Sequence, residues 1–329
     1  IKTLLTRSYY MKRQLFLLIF TWFLLAGSAK GQAPCSATIT TTPTKCSYSS
    51  DGTATVTWYD SKGVLNGNNG GGPYGCVAAA VAPAIYTTGC TSTYSSNTGT
   101  ITVNANQQVC VTSNFTGAIA LNGGRLVVAS NASIVPQYIN PSGSAAYEIV
   151  VLGVATLTNF NLGPNGTLTN YGTVNFTNST SFTGTINNYK NLVASANLDI
   201  NSPSGKLTNS GGTVIVKGNF SNLNSTINSG LFQVRGIFNS NSNSGFINNC
   251  NLTVKVDLNI NQNFTNNGSI IDTNKLTLNG GSLVTVSGGT SIKAGSFEVN
   301  GKITNTSANC ALISVASTST TINATSGKL

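Results

Sequence analysis

From about residue 115 onward, apolar and polar side chains alternate in runs of three to five residues bounded by Gly or Asn. Period-two alternation over such short runs predicts strands with one buried face, and the boundaries predict tight turns between them. Aligned on Gly/Ser-x-Ile/Leu, the runs give a first apolar column at Leu168, Ile186, Leu207, Ile227, Ile247, Ile270 and Ile292. Its spacings are 18, 21, 20, 20, 23 and 22, a mean of 20.7 residues. A second column follows at Val174, Leu192, Val214, Phe232, Leu252, Leu276 and Phe297, and a third at Phe182, Leu198, Phe220, Phe238, Leu258, Leu283 and Ile303. Three columns with one period predict a repeated coil of three short strands. A single coil cannot bury its apolar residues, but stacked coils can, because each strand pairs in parallel with its counterparts about 4.8 Å above and below. The expected fold class is all-β: a right-handed parallel β-helix, or β-solenoid, with about 20–21 residues and three short strands per coil. About ten such coils would make a rod on the order of 50 Å long. A β-sandwich is the alternative, but it has no need of equal spacing in three columns.

Asn170, Asn188, Asn209, Asn249 and Asn305 each stand two residues after a first-column or similar Ile/Leu. Asn tolerates left-handed backbone at such corners and bonds the local backbone, and stacked copies can bond one another as a ladder. A carbohydrate- or ice-binding array competes for these residues, but the strand-to-turn position accounts for them without a ligand. Tyr171 and Tyr189 directly follow Asn170 and Asn188, which predicts a short outward aromatic stack.

The chain upstream divides differently. Residues 1–10 precede the only Met and read as translated upstream sequence; residues 11–31 read as a secretory signal. Met11-Lys12-Arg13 is followed by the apolar run from Leu15 to Leu25 and small residues at Ala29 and Gly31, with cleavage expected after Gly31. The apolar run is 11 positions long, where a membrane span needs about 20, so no span is expected after cleavage. Residues 32–110 form an irregular Cys-containing segment with a strand-like stretch at 52–59, and residues 111–329 the solenoid. The chain ends within the repeat rhythm with no capping segment in view, which reads as a truncated frame.

Composition narrows the chemistry. The 329 residues include 43 Asn and 35 Gly but no His. Without His there is no Ser-His-Asp or Cys-His nucleophile and no His-ligated metal site; no cofactor or metal is expected. Removing residues 1–31 takes away Lys2, Arg7, Lys12, Arg13 and Lys30, and the formal charge falls from +10 to +5. The remaining basic residues are scattered singly along the sequence, so no nucleic-acid partner is expected. Gly67-Asn68-Asn69-Gly70-Gly71-Gly72 lacks the Gly-Lys-Ser/Thr ending of a phosphate cradle and reads as a loop.

All seven Cys follow the export signal, where disulfides are chemically permitted. Cys35 with Cys46 and Cys76 with Cys90 are the economical pairs, although spacing does not fix connectivity. Cys250 and Cys310 lie 60 residues apart, roughly 14 Å along a coil stack. They are expected to be unpaired fillers.

Secreted β-helices that cleave polysaccharides need converging carboxylates, and the acids after residue 31 are only Asp51, Asp60, Glu148, Asp199, Asp257, Asp272 and Glu298. Asp199 and Asp257 adjoin third-column residues about three coils apart, too far for an acid/base pair. Thr156-Leu157-Thr158 and Thr167-Leu168-Thr169 suggest an ice-ordering array, but Asn187, Lys206 and Asn228 interrupt it.

The stretch Ile101-Thr102-Val103-Asn104-Ala105-Asn106-Gln107-Gln108-Val109-Cys110-Val111, with Phe115-Thr116-Gly117, Leu121-Asn122-Gly123-Gly124-Arg125-Leu126-Val127-Val128 and coils such as Gly166-Thr167-Leu168-Thr169-Asn170-Tyr171-Gly172-Thr173-Val174, resembles Asn/Gly-rich repetitive surface proteins of Bacteroidetes. Lys45-Cys46-Ser47-Tyr48-Ser49-Ser50-Asp51-Gly52-Thr53-Ala54-Thr55-Val56 is similar to part of the repeat of gliding-motility adhesins of that phylum. The resemblance implies Sec export followed by type IX secretion, a non-enzymatic adhesin or structural role at the cell surface, and surface glycans or other cell-surface proteins as partners. The ending Thr321-Ile322-Asn323-Ala324-Thr325-Ser326-Gly327-Lys328-Leu329 departs from the C-terminal sorting domain of such cargo. A carbohydrate-active or carbohydrate-binding β-helix and an ice-binding solenoid are the alternatives.

Overall fold

In the computed structural model the alternating runs become strands that pair with the runs about one period before and after them. The structure describes residues 36–41, 54–59, 76–141, 144–201, 204–287, 290–306, 312–315 and 320–322. The chain divides into two units, residues 1–69 and 70–329. In the first, Ser36–Thr41 pairs antiparallel with Ala54–Tyr59, Ile39 opposite Val56, so the strand-like stretch is a strand.

The second unit is a parallel β-solenoid of about 11 turns with almost no helix. Its first face is a 12-stranded sheet running from Ser92–Tyr94 to Lys302–Asn305, and its second a 10-stranded sheet from Ser133–Ile134 to Leu312–Val315. The third side has two sheets: three strands ending at Tyr138–Pro141, then eight beginning at Thr180–Phe182. Between them residues 158–164 form no strand, Asn159 takes a positive φ of 51°, and Phe160 and Leu162 fill the interior from a loop. The winding starts earlier than residue 111. Strands Ser92–Tyr94 and Gln108–Val111 already belong to the first face, because Val109 and Val111 point inward beneath Leu126 and Val128.

From Thr173–Phe176 to Ser296–Val299 the strands bury alternate side chains, whereas Gln108–Val111 is buried at all of its positions, and one apolar cluster runs from Ile101 to Ile303. Phe220, Phe232, Phe238, Phe246 and Phe264 stack through its middle, with neighbouring centroids such as Phe220–Phe238 at 4.9 Å and Phe246–Phe264 at 5.2 Å. Offset and edge-to-face contacts of this kind add to burial. From Val109 to Ile303 the first face advances ten strands, about 19 residues per coil, slightly tighter than the spacing of the apolar pattern alone.

Register corrects three of the columns. Thr226 and Phe246, not Ile227 and Ile247, are the inward residues of the first face, continuing Leu207 and leading to Phe264. In Ser225-Thr226-Ile227 and Gly245-Phe246-Ile247 the inward residue is the central one, and a one-residue slip in a period-two strand turns every side chain to the opposite face. Ile270 and Ile292 do lie inside, but on the second face, stacked on Leu252. The coil before them carries Phe264-Thr265-Asn266 on the first face, which offers no Ile/Leu to the alignment. As a result Leu276 and Phe297 belong to the third side and Leu283 and Ile303 to the first face, Leu283 pointing outward. Phe182 is buried on the third side, paired with Ile200 rather than Leu198. Leu168, Ile186 and Leu207 stand where the pattern put them.

Candidate functional site

Two features organise the second unit's chemistry: an internal amide ladder at the corner between the first and second faces, and a strap that crosses the outside of that corner. The ladder consists of Asn170, Asn188, Asn209, Asn228, Asn248 and Asn266, each fully buried. Each Nδ2 donates to the next Oδ1 at 2.7, 2.8, 2.8, 2.8 and 2.8 Å. The same amides tie down the turn. Asn170 Oδ1 accepts from Gly172 N at 3.0 Å, and Asn170 Nδ2 donates to the Asn191 carbonyl of the next coil at 2.7 Å. The turn leaves no room above it: a Cβ at Gly172, Gly230 or Gly268 would come within 2.1, 2.1 or 2.0 Å of the carbonyl oxygen of the preceding coil.

Three of the expected ladder members, Asn170, Asn188 and Asn209, are therefore in it. Asn249 is not. It is the outward neighbour of Asn248, donates to Ser229 Oγ at 3.1 Å and accepts from Asn267 at 2.9 Å. Asn305 shares the column by register, but Val286 lies between it and Asn266 and ends the chain of amides. Sequence alignment on Ile/Leu missed Asn228, Asn248 and Asn266, since their coils have Thr226, Phe246 and Phe264 at the inward position two residues earlier.

The strap is the segment from Cys76 to Cys90. Cys76 bonds Cys250 and Cys90 bonds Cys110. Neither the pairing of Cys76 with Cys90 nor an unpaired Cys250 holds, because the segment runs along the stack and each end meets a different coil. The strands beside Cys110 and Cys250 are seven steps apart, about 34 Å. Fourteen residues including the helical turn Ile85–Thr88 reach about 40 Å, so the strap is nearly taut. On the way Val77 N donates to the Ser229 carbonyl at 3.0 Å, and Gln108 Nε2 donates to the Ile85 carbonyl at 3.0 Å. Cys35, Cys46 and Cys310 lie outside the described residues.

Where the strap crosses the first face it meets a polar cluster. Glu148 accepts from Arg125 Nε at 2.6 Å, from Thr169 Oγ1 at 2.8 Å and from the Tyr86 hydroxyl. Arg125 also donates to Gln108 Oε1 at 2.9 Å and lies 5.0 Å over the Tyr86 ring. Arg125 and Glu148 face each other from adjacent strands. Tyr171 and Tyr189 stack as expected, with centroids 4.6 Å apart and planes at 5°, but Tyr86 packs on Tyr171 at 5.9 Å and covers one end of the pair. Burial first, then Tyr189 and Tyr86, pushes the Tyr171 hydroxyl up to about 12. Burial and then Glu148 raise Tyr86. Neutral phenols in contact with a paired Arg–Glu make a structural clasp for the strap.

The chain matches no family model, no curated protein and no solved structure. What it can do chemically is read from its own geometry.

The carboxylates of the repeats are placed apart from one another. Asp199 and Asp257 are three strand steps apart on the third side, about 14 Å, and burial raises the Asp199 carboxyl. Glu298 bonds Lys275 Nζ at 2.5 Å and Asn300 Nδ2 at 2.9 Å, and the Lys275 hydrogen bond holds it below the usual carboxylate range. Asp272 lies inside on the second face, 2% exposed, between Val254 and Ala294. Its Oδ1 accepts from Asn274 N at 3.2 Å, its Oδ2 has no partner, and burial pushes it up to about 6. Among the described residues no three His, Cys, Asp or Glu side chains group as a metal site, and no helix is long and apolar enough to cross a membrane. The outward middle positions of the first face run Thr169, Asn187, Thr208, Ile227, Ile247, Thr265, Thr285 and Thr304, a row in which Thr is interrupted by Asn and Ile.

Proposed function

We propose that this chain is an exported, non-enzymatic β-solenoid that serves as a structural rod or adhesin at a bacterial cell surface. The observation that carries the reading is the continuity of the interior: one apolar cluster and one amide ladder pass from coil to coil. Adding coils to such a stack adds length and outward surface while each coil buries the next. The Met11 to Gly31 signal and the similarity to Bacteroidetes surface proteins, with type IX secretion as the second export step, support the location. Disulfides at both ends of the strap suit an oxidising compartment.

Protease shaving of intact cells, followed by immunoblotting, tests the location. The full-length protein should disappear from shaved cells, and retention in the cytoplasm overturns the reading. The non-enzymatic part has its own test. Purified protein incubated with plant and algal polysaccharides should release no new chain ends, and cleavage that is lost in Asp199→Asn or Asp257→Asn would falsify it.

A further inference from the structure

We propose that the corner between the second and third faces is a binding strip for a linear acidic polysaccharide, an inference that rests on the surface-rod reading and names its ligand class. The strip is a row of cations that the fold assembles from distant parts of the sequence. Lys217, Arg235 and Lys255 each directly follow the last inward residue of a second-face strand, Val216, Val234 and Val254. Those valines are in register on successive coils. The pairing continues into the row itself, since Arg235 N donates to the Val216 carbonyl at 2.8 Å and Lys255 N to the Val234 carbonyl at 2.9 Å. Three cationic residues thus follow one another about 4.8 Å apart along the rod.

All three side chains are exposed, and among the described residues the ion pairs are Arg125–Glu148 and Lys275–Glu298, so the row has no carboxylate partner. Asp257, two residues past Lys255, marks one end of the row and accepts from Asn274 Nδ2 at 2.7 Å. Like charges at this spacing repel one another, and a row of them is unfavourable unless anions lie along it. An extended chain of uronic acids carries one carboxylate per sugar ring, a repeat close to the rise of one coil. Laid along the rod, such a chain keeps carboxylates within reach of the long Lys and Arg side chains over the whole row. A single-stranded nucleic acid would call for aromatic platforms beside the cations. The residues that follow the three cations are Gly218, Gly236 and Val256.

The test uses the full chain with polygalacturonate as the probe, neutral dextran as the uncharged control and poly(dT) as the competing polyanion. Polygalacturonate should bind, dextran should not, and poly(dT) should bind more weakly. The variant K217Q/R235Q/K255Q should lose about thirtyfold in affinity, roughly threefold per cation. The charge-matched variant K190Q/K206Q/K302Q should change affinity less than about twofold. Log affinity should fall with log salt at a slope of about −2, and each single substitution in the row should reduce that slope by about 0.7, which serves if the triple variant does not fold. Equal losses in the two triple variants, poly(dT) binding as tight as polygalacturonate, or no polygalacturonate binding by folded protein would each overturn the strip. Surface location without polygalacturonate binding overturns the strip alone, whereas cytoplasmic retention in the shaving experiment overturns the rod.

Discussion

A buried side-chain amide left without partners costs on the order of 1–3 kcal/mol. At Asn209 that cost is avoided, because its Nδ2 reaches Asn228 Oδ1 at 2.8 Å and the Gly212 carbonyl at 3.1 Å. Asp272 shows the opposite case, since its column offers Val254 and Ala294 as neighbours and leaves Oδ2 without a donor. With a folded pKa of about 6 against an ordinary 3.8, its ionisation is easier in the unfolded chain. Stability from this group is therefore complete below about pH 4 and is lost as pH rises through about 6, by roughly 2–3 kcal/mol. Burial of Asp199 acts with the same sign. The thermal midpoint should fall between pH 4 and pH 7, and Asp272→Asn should flatten much of that fall. An unchanged pH profile in the variant would place the ionisation elsewhere.

The strap is the element whose behaviour least resembles its sequence. It has no alternation, most of it is exposed, and Val81 is 92% exposed. It is held by its two ends and by the clasp of Tyr86 against Arg125, Glu148 and Tyr171. The Cys76–Cys250 bond closes a loop of 174 residues, and loss of such a bond typically costs about 2–5 kcal/mol. Non-reducing peptide mapping should recover Cys76 joined to Cys250 and Cys90 joined to Cys110. The variant C76S/C250S should melt earlier with its β-sheet circular dichroism intact. Recovery of a Cys76–Cys90 peptide would contradict the strap.

At the scale of the molecule, the stack responds to whole coils. Residues 210–228 span one coil, from the position after Asn209 to Asn228, so their removal brings Asn209 into register with Asn248. A protein lacking them should still melt cooperatively with a β-sheet spectrum, because every inward column and the ladder reconnect. Removal of residues 210–219 alone should abolish folding, since it leaves the coil's other two strands, Phe220–Asn222 and Ser225–Asn228, one side out of step with the faces they pair with. Equal tolerance of both deletions, read by circular dichroism, would refute a stack held by register. The fold class and the three-strand coil were legible in the apolar period for this reason: each coil repeats the same local problem and solves it in the same way. The columns beyond Leu207 were less legible, because an alignment that follows Ile and Leu goes astray where Thr226, Phe246 and Phe264 point inward.

The sequence by itself determined that short strands alternate, that Gly and Asn make their corners, and that a common period stacks them. Those are properties of neighbours in the chain, set by pleat and turn chemistry. Only the tertiary structure decided which Asn enter the ladder, that Cys76 meets Cys250, that Tyr86 closes on Tyr171, and that Lys217, Arg235 and Lys255 form a row. These contacts join residues 18 to 174 positions apart. They depend on how many residues each coil contains and on where the strap crosses it, quantities that no local pattern encodes.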